Sequence, residues 1–297
     1  MFSRRPLIVT HDGHFHPDDV CAVAVLDLVL NGRYRLKRTR DTSIISRADY
    51  VVDVGGVYDP ALHRFDHHQK GGAGARPESV PYASFGLVWR EYGVRLCGDE
   101  EIAQEIDRKL VASIDALDNG VEVVKVLDQR VLPYYFADFL FDLNPGWKER
   151  VSFDSQFRKA VEYASLVLRR EIRRSILNRE GRRAVEAAYQ SSLDKRIIVI
   201  DDDYPWRKVL MRHPEPLFIV KPRVNGSWDA KTVPVAEQGF ESRASFPKSW
   251  RGLTEQDLSQ ISGVPDAMFC HNGGFIAIAQ SKEGALALAK KALETRE

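Results

Sequence analysis

The chain has 297 residues, 44% of them hydrophobic, which supports one large domain or two smaller ones and excludes disordered and collagen-like chains. Its 43 lysines and arginines nearly balance its 42 aspartates and glutamates, so the overall charge does not mark a nucleic-acid-binding protein, and a polyanion site would have to be a local basic cleft. The three cysteines, Cys21, Cys97 and Cys270, lack CxxC spacing. They indicate a reducing compartment, are expected in the core, and argue against a thiolate zinc site.

We expect no targeting or membrane segment from the sequence. Residues 1–7 include Arg4 and Arg5 but lack the apolar region of a signal peptide. No stretch approaches the roughly 18 apolar residues that a membrane helix needs. We therefore expect a soluble, cytoplasmic protein with no membrane partner; a homo-oligomer is compatible with the sequence.

The first predicted unit is a strand, a polar loop and a buried helix. Leu7 to Thr10 is a short apolar run, and Val20 to Leu30 is almost uninterruptedly apolar over a helical length. The loop between them, residues 10–19, contains three histidines and three aspartates. It is expected at the carboxyl end of the first strand, where open α/β sheets bind their ligands.

A second strand is predicted from Tyr50 to Val54. It contains Asp53 and is followed, after a turn at Asp59-Pro60, by the triplet Asp66-His67-His68. If this strand is parallel to the first, Asp53 lies at the same edge of the sheet as the histidine loop.

Helices are predicted over Tyr82 to Tyr92 and Glu101 to Leu117, after a glycine-rich stretch from Lys70 to Pro77. The aromatic residues of the first helix are expected in the core rather than in a base-stacking surface. The second helix ends near Asp115 and Asp118, just before the Asn-Gly stop signal.

A long helix is predicted from Phe153 to about Ser192, and seven arginines between 169 and 183 lie in it. They are interpreted as a solvated face, with a track for phosphates as the alternative. Strands at 197–200, 217–220 and 275–279 and a helix from 282 to 293 follow. We predict a catalytic domain at 1–150, a helical connector at 151–194 and a smaller α/β domain at 195–297.

Four loops offer carboxylate and imidazole ligands of one kind. The candidate residues are His11, His14, His16, Asp18, Asp19, Asp53, Asp66, His67, His68, Asp115 and Asp118. Such ligands suit two divalent cations about 3.5–4 Å apart that are joined by a bridging carboxylate. Asp53 is the candidate for the bridge, because it lies alone at a strand end between the other ligand groups. The ligand types favour Mn²⁺, with Mg²⁺ as the alternative, and they are also compatible with zinc. Asp12 and Asp19 have a second interpretation as caps of the following helix.

These segments resemble the melanocyte-proliferating-gene (Myg) exonuclease family, which is similar to the DHH phosphoesterases. The resemblance is carried by residues 10–20, 52–60, 63–69 and 114–120, and continues through 240–243, 247–253 and 269–276. It implies a DHH-like parallel-sheet domain with the metal centre, a C-terminal substrate domain, and metal-dependent 3′ to 5′ exonuclease activity on RNA.

The resemblance also implies roles for individual residues. One of His11, His14 and His16 would hold one metal with Asp18; His67, with Asp115 or Asp118, would hold the other. Asp53 would bridge the two metals, and His68 would contact the substrate phosphate. The first motif departs from the better-known DHH enzymes, which have one histidine and two spaced carboxylates there.

A second group of candidates binds substrate in the C-terminal part of the chain. The turn His271-Asn272-Gly273-Gly274 resembles the glycine-containing substrate loop of the DHH-associated domain. Its backbone amides could cradle a phosphate, with Arg223 and Arg251 as charge partners. An ordinary turn is the alternative.

Three functions are therefore compared. The leading hypothesis is a Mn²⁺-dependent phosphodiesterase that removes nucleotides from RNA or a short oligonucleotide. The second is a phosphohydrolase of dinucleotides or nucleoside bisphosphates, which the balanced charge favours because a long polyanion usually requires a basic surface. The third is a catalytically inactive nucleic-acid-binding protein that uses the arginine-rich helix.

Overall fold

The computed structural model describes residues 4–128, 130–239 and 241–295, and within them the chain is a mixed α/β protein. Phe240, the first residue of the motif at 240–243, lies outside these residues. The chain divides into two compact units, Met1–Ile176 and Leu177–Glu297, and the dividing point falls inside the predicted connector helix. Among the described helices, none is both long enough and apolar enough to span a membrane.

The first unit contains a sheet of short strands surrounded by helices. Its strands are β1 (Leu7–Thr10), β2 (Arg35–Arg38), β3 (Tyr50–Val52), β4 (Tyr58–Asp59) and β5 (Arg64–Phe65). Its helices are α1 (Pro17–Val29), α2 (Thr42–Ile45), α3 (Ser84–Cys97), α4 (Glu100–Ile106), α5 (Ala112–Asp118) and α6 (Phe136–Phe141), followed by the start of α7 (Phe153–Ser191).

The strand order of this sheet is β2-β1-β3-β5-β4. Strand β1 is parallel to β2 and β3, β3 is parallel to β5, and only the edge strand β4 is antiparallel to its neighbour among the described pairings. The carboxyl ends of β1, β3 and β5 therefore share one edge. This confirms the predicted α/β class and places the histidine loop, Asp53 and Asp66 side by side.

The core of the first unit lies around α1 and α3. Helix α1 is buried continuously from Asp18 to Leu26, which explains why its sequence is apolar on every side rather than amphipathic. The aromatic residues Phe85, Trp89 and Tyr92 of α3 are buried against it, as predicted. Burial of Cys21 and Cys97 in the same core confirms the expectation for those cysteines.

The single helix predicted from Glu101 to Leu117 is wrong in one respect. A π-helical segment, Asp107–Val111, separates α4 from α5. In a regular α-helix, side chains eight residues apart differ by about 80° around the axis. A residue inserted in a π turn takes up about one step of roughly 100°, so the two side chains come back to nearly the same face. Asp107 and Asp115 can consequently both contact one arginine, Arg76, at 2.7 and 2.8 Å.

The second unit is built on a mixed sheet with the order β6-β7-β8-β10-β9. The strands are β6 (Ile197–Val199), β7 (Phe218–Pro222), β8 (Trp228–Thr232), β9 (Ala267–Cys270) and β10 (Ile276–Ala279). The helices are α8 (Arg207–Leu210), α9 (Glu255–Ser262) and α10 (Lys282–Glu294), together with the end of α7. The three predicted strands and the closing helix are present, and Cys270 is buried in this core.

Candidate metal centre

The histidine loop is held against the end of β1 by side chains from distant parts of the chain. Asn144 accepts a hydrogen bond from the Phe15 amide at 3.0 Å and donates one to its carbonyl at 2.9 Å. The Arg38 guanidinium donates to the Gly13 carbonyl at 2.8 Å. These contacts fix the loop, and His11 at its start is only 3% exposed.

Asp53 follows β3 directly and adopts a left-handed backbone conformation, with φ of 54°. Aspartate and asparagine tolerate this region better than most residues, yet it still costs free energy and often marks a functional position. The carboxylate is buried and accepts a hydrogen bond from the Ser84 hydroxyl at 3.0 Å. The bend after β3 thus aims Asp53 toward the histidine loop.

His67 and His68 follow β5, the strand next to β3. The Nε2 atom of His67 lies 3.4 Å from Asp53 Oδ1 and 3.2 Å from Asp118 Oδ2. His68 is more open, with 60% of its side chain exposed, and its Nδ1 is 2.8 Å from Asp66 Oδ1. Asp66 also accepts the Gly56 amide at 2.5 Å, which anchors the carboxylate that orients His68.

Two helix ends supply the other carboxylates. Asp18 is in the first turn of α1 and is fully buried, and Asp118 is the last residue of α5. Asp18 Oδ2 lies 3.8 Å from His67 Nε2 and accepts a hydrogen bond from the Ser84 amide at 3.3 Å. Helices far apart in sequence therefore add their carboxylates to the ligands at the sheet edge.

Three groups of side chains among the described residues have ligand atoms within 4.8 Å of one another. They are His11 with His16 and Asp53, Asp53 with His67 and His68, and His16 with Asp18 and Asp118. Asp53 belongs to two groups, as a bridging carboxylate would. Four buried atoms within these groups make no contact with hydrogen-bond geometry among the described residues: His11 Nε2, Asp18 Oδ1, Asp53 Oδ2 and His67 Nε2. His11 Nε2 and His67 Nε2 do lie 3.2 Å from oxygens of Asp19 and Asp118, respectively. Unpaired buried nitrogen and oxygen atoms are costly, so this donor set fits divalent cations.

The electrostatics of the cluster follow from crowding carboxylates in a buried space. Burial raises the pKa of Asp18 well above its usual value, and Asp53 and Asp118 raise it further. Burial lowers the pKa of His67, but Asp118 and Asp53 more than offset it and raise the pKa to about 10. Asp19 and Asp53 likewise raise the pKa of His11 to about 10 against the effect of burial. The carboxylates therefore favour positive charge at their centre.

The structure does not bring His14 and Asp115 into these groups. His14 is exposed and packs its ring edge-to-face on Phe153, with centroids 4.9 Å apart. Asp115 is buried and binds Arg76 Nη1 at 2.8 Å and the Gly86 amide at 3.0 Å. Of the alternatives in the sequence, the described geometry favours His11 and His16 over His14, and Asp118 over Asp115.

Three supporting residues have no metal-ligand signature in the sequence. Ser84 binds both Asp53 and Asp18, Arg76 pairs with Asp107 and Asp115, and Asn144 holds the histidine loop. A serine at the start of a predicted helix is a helix-start signal, which is the one hint for Ser84. Asp19 acts as a cap, accepting the His16 amide at 3.0 Å, and lies 3.2 Å from His11 Nε2.

The candidate substrate loop in the second unit is a tight turn between β9 and β10. The Gly273 amide donates to His271 Nδ1 at 2.9 Å, and the Gly274 amide donates to the His271 carbonyl at 2.8 Å. Gly274 has φ of 65°, and a Cβ there would lie 2.6 Å from Arg251 Nε. Arg251 therefore lies against the turn, and Asn272 is exposed at its tip. Arg223 instead belongs to a cluster of charges on β7 and β8.

Fold and site together define an α/β protein with a candidate divalent-metal centre at the carboxyl edge of a parallel sheet. Residues 7–293 match the family model MYG1_exonuc, described as "Uncharacterised protein family (UPF0160)". Because this match covers nearly the whole chain, the protein belongs to that family. The family resemblance seen in the sequence is thereby confirmed.

Relatives from distant organisms match over similar lengths. The MYG1 exonuclease of Homo sapiens is 29% identical over 328 residues, which cover 98% of this chain and 86% of the human protein. The MYG1 protein of Caenorhabditis elegans is 29% identical over 330 residues, covering 98% and 96% of the two chains. The MYG1 protein of Dictyostelium discoideum is 30% identical over 322 residues, with 96% of each chain covered.

Proposed function

We propose that this protein is a divalent-metal-dependent phosphodiesterase that removes nucleotides from the end of RNA or a short oligonucleotide. The observation that carries the proposal is the position of Asp53 in two ligand groups that come from separate loops. The relatives named MYG1 exonuclease support the choice of a nucleic-acid substrate. The 3′ to 5′ direction is inferred from the family resemblance.

His11, His16 and Asp53 would hold one cation, and Asp53 with His67 and Asp118 would hold the second. Asp18, which the resemblance assigns to the first cation, is grouped with both His16 and Asp118 and would lie between the two. Imidazole nitrogens mixed with carboxylate oxygens suit Mn²⁺, with Mg²⁺ as the alternative. Two such ions, when bound, supply an activated water at neutral pH and neutralise charge on the reacting phosphate. The cytoplasmic location expected from the sequence stays a prediction.

The side chains of the chain itself position the substrate end of this site. Asp66 binds Nδ1 of His68, which leaves the exposed ring with its other nitrogen available to a phosphate oxygen. Ser84 restrains the shared carboxylate of Asp53, and the buried Asp18 is restrained by the backbone of α3. The carboxylates of Asp53 and Asp18 are consequently both tethered to the start of α3.

The test uses single-stranded RNA labelled at the 5′ or the 3′ end, with protein stripped by EDTA and then supplied with Mn²⁺. We expect turnover only after Mn²⁺ addition, with mononucleotides released from the 3′ end. Asp53→Asn, which keeps the size and the left-handed preference of the residue, should abolish turnover. Asp49→Asn, at a partly exposed aspartate outside the described ligand groups, should not. Full activity of the EDTA-treated protein or of Asp53→Asn would refute the proposal.

A second candidate is the hydrolysis of dinucleotides or nucleoside bisphosphates. It is favoured by the near balance of 43 basic and 42 acidic residues, because long polyanions usually bind to strongly basic surfaces. Rates on dinucleotides and on 20-mers separate the two candidates. A preference for dinucleotides would select the small-molecule function.

A further inference from the structure

One face of the sheet in the second unit carries a cluster of charged side chains around Asp229. Asp229 pairs with Lys221 of the neighbouring strand, and Lys231 lies two residues further along β8. Because side chains alternate across a strand, Asp229 and Lys231 share one face, whereas Val220 and Ala230 face the apolar core. The charges are therefore placed by the sheet register.

The cluster contains three cations and two carboxylates. Lys221 Nζ lies 2.7 Å from Asp203 Oδ1 and 3.6 Å from Asp229 Oδ2. Arg223 Nε and Lys231 Nζ each lie 3.9 Å from the same Asp229 oxygen. All three cations therefore lie near Asp229, and the cluster as a whole carries a net charge of +1.

Two of these cations have unused hydrogen-bonding capacity. Lys221 and Asp229 are buried, but about a third of each of the Arg223 and Lys231 side chains is exposed, at 37% and 34%. Among the described residues, neither Arg223 nor Lys231 donates a side-chain hydrogen bond to the protein, and their contacts with Asp229 at 3.9 Å are too long to be one. Both border a cavity of about 370 Å³, which Asn225 and Ile276 also line.

We propose that this cavity is a phosphate-binding pocket in which Arg223 and Lys231 contact the anion and Lys221 and Asp229 hold them in place. The cavity size falls within the roughly 300–1,000 Å³ that is common for ligand sites. A guanidinium fork next to an ammonium group is suited to phosphate oxygens. Buried Asp229 serves to preorganise the cations, since without it three like charges would repel one another.

The phosphate can come from two sources, a nucleic-acid backbone or free inorganic phosphate. The first source rests on the proposed function, and the second does not. The pocket lies entirely within the second unit and uses no residue of the metal centre. Binding in the presence of EDTA therefore tests the pocket without requiring hydrolysis.

The experiment compares Arg223→Gln and Lys231→Gln with the wild type and with Lys208→Gln, an exposed lysine of the same unit that pairs only with Glu237 among the described residues. Fluorescence anisotropy measures the binding of a labelled single-stranded RNA, and ³¹P NMR line broadening measures the binding of inorganic phosphate. Both measurements are made in EDTA. We expect each pocket variant to lose affinity on the order of 10-fold for the phosphate it recognises. Lys208→Gln should change neither affinity, and Lys231→Arg, which keeps the positive charge, should retain the wild-type affinity.

A loss of RNA affinity would assign the pocket to a nucleic-acid phosphate if the slope of log binding constant against log salt concentration also becomes shallower by about 0.7. Loss of phosphate affinity alone would assign it to free phosphate. If both variants match Lys208→Gln for both probes while melting like the wild type, the proposal is overturned. Asp53→Asn should bind both probes normally in EDTA even if the proposed nuclease activity is absent.

Discussion

The metal centre and the phosphate pocket are charge clusters of opposite sign. Around Asp53, the described ligand groups contain carboxylates and imidazoles but no lysine or arginine. Around Asp229, three cations are gathered against two carboxylates. In each cluster, buried groups remain imperfectly paired within the protein. The sign of the residual charge thus indicates the class of ligand: a metal cation in the first unit and an anion in the second.

The largest effect is expected from breaking the metal centre. His67→Gln removes an imidazole that lies within 3.4 Å of both Asp53 and Asp118. Turnover should fall by more than about 100-fold, which is the upper range for residues that only support metal ligands. The matched control is His63→Gln, a histidine of the preceding turn that binds the Tyr92 hydroxyl. Steady-state kinetics with Mn²⁺ checks this; equal losses in both variants would contradict the assigned role.

Arg76 offers a contrast because it is a buried cation whose charge is fully matched by carboxylates. Arg76→Ala leaves the buried Asp115 without its partner at 2.8 Å. The free energy of unfolding should fall by about 3–5 kcal/mol, as for other broken buried ion pairs. Urea denaturation measures it, and Arg90→Ala, an exposed arginine on the same tyrosine ring, is the control. A loss no greater than that of the control would show that Arg76 has no structural role.

Ser84 tests whether the metal centre depends on support from α3. Ser84→Ala removes the hydroxyl that donates to Asp53 and keeps the backbone contact to Asp18. Affinity for Mn²⁺ should fall by about 10- to 100-fold, the usual effect of losing a hydrogen bond to a metal ligand. Ser113→Ala removes a hydroxyl that, among the residues the structure describes, binds only the Leu110 carbonyl, and it should leave the affinity unchanged. Unaltered Mn²⁺ affinity in Ser84→Ala would remove this serine from the site.

The smallest effect is expected from His14→Gln. His14 is exposed, packs on Phe153, and does not belong to the described ligand groups. Mn²⁺ affinity should stay within about twofold of the wild type, because surface substitutions away from a site change little. His16→Gln is the matched comparison from the same loop and should weaken binding. Loss of one bound ion in His14→Gln would show that the loop binds metal with a different histidine.

The sequence could predict the sheet edge because the relevant information is local. Apolar runs ending at His11 and Asp53 mark strand ends, and parallel pairing then brings these residues together. It could not separate Asp115 from Asp118, because the choice depends on Arg76, which contacts Asp115 across 39 positions of the chain. Arg76 itself lies in a glycine-rich stretch with no helical or strand pattern.

The phosphate pocket was even less visible in the sequence. Lys231 and Asp229 alternate with buried residues on β8, as solvent-facing side chains of an ordinary strand would. Only the register between β7 and β8 shows that Lys221 and Asp229 are partners. The sequence consequently paired Arg223 with the glycine turn, whereas the structure places it beside Asp229.

The central claim is that Asp53 is shared by two cations, and counting bound Mn²⁺ tests it most directly. Isothermal titration of the EDTA-stripped protein should give two ions per chain for the wild type and for Asp49→Asn. Asp53→Asn, with an unchanged circular dichroism spectrum, should lose tight binding of both ions. Two ions bound equally tightly by Asp53→Asn would contradict the account.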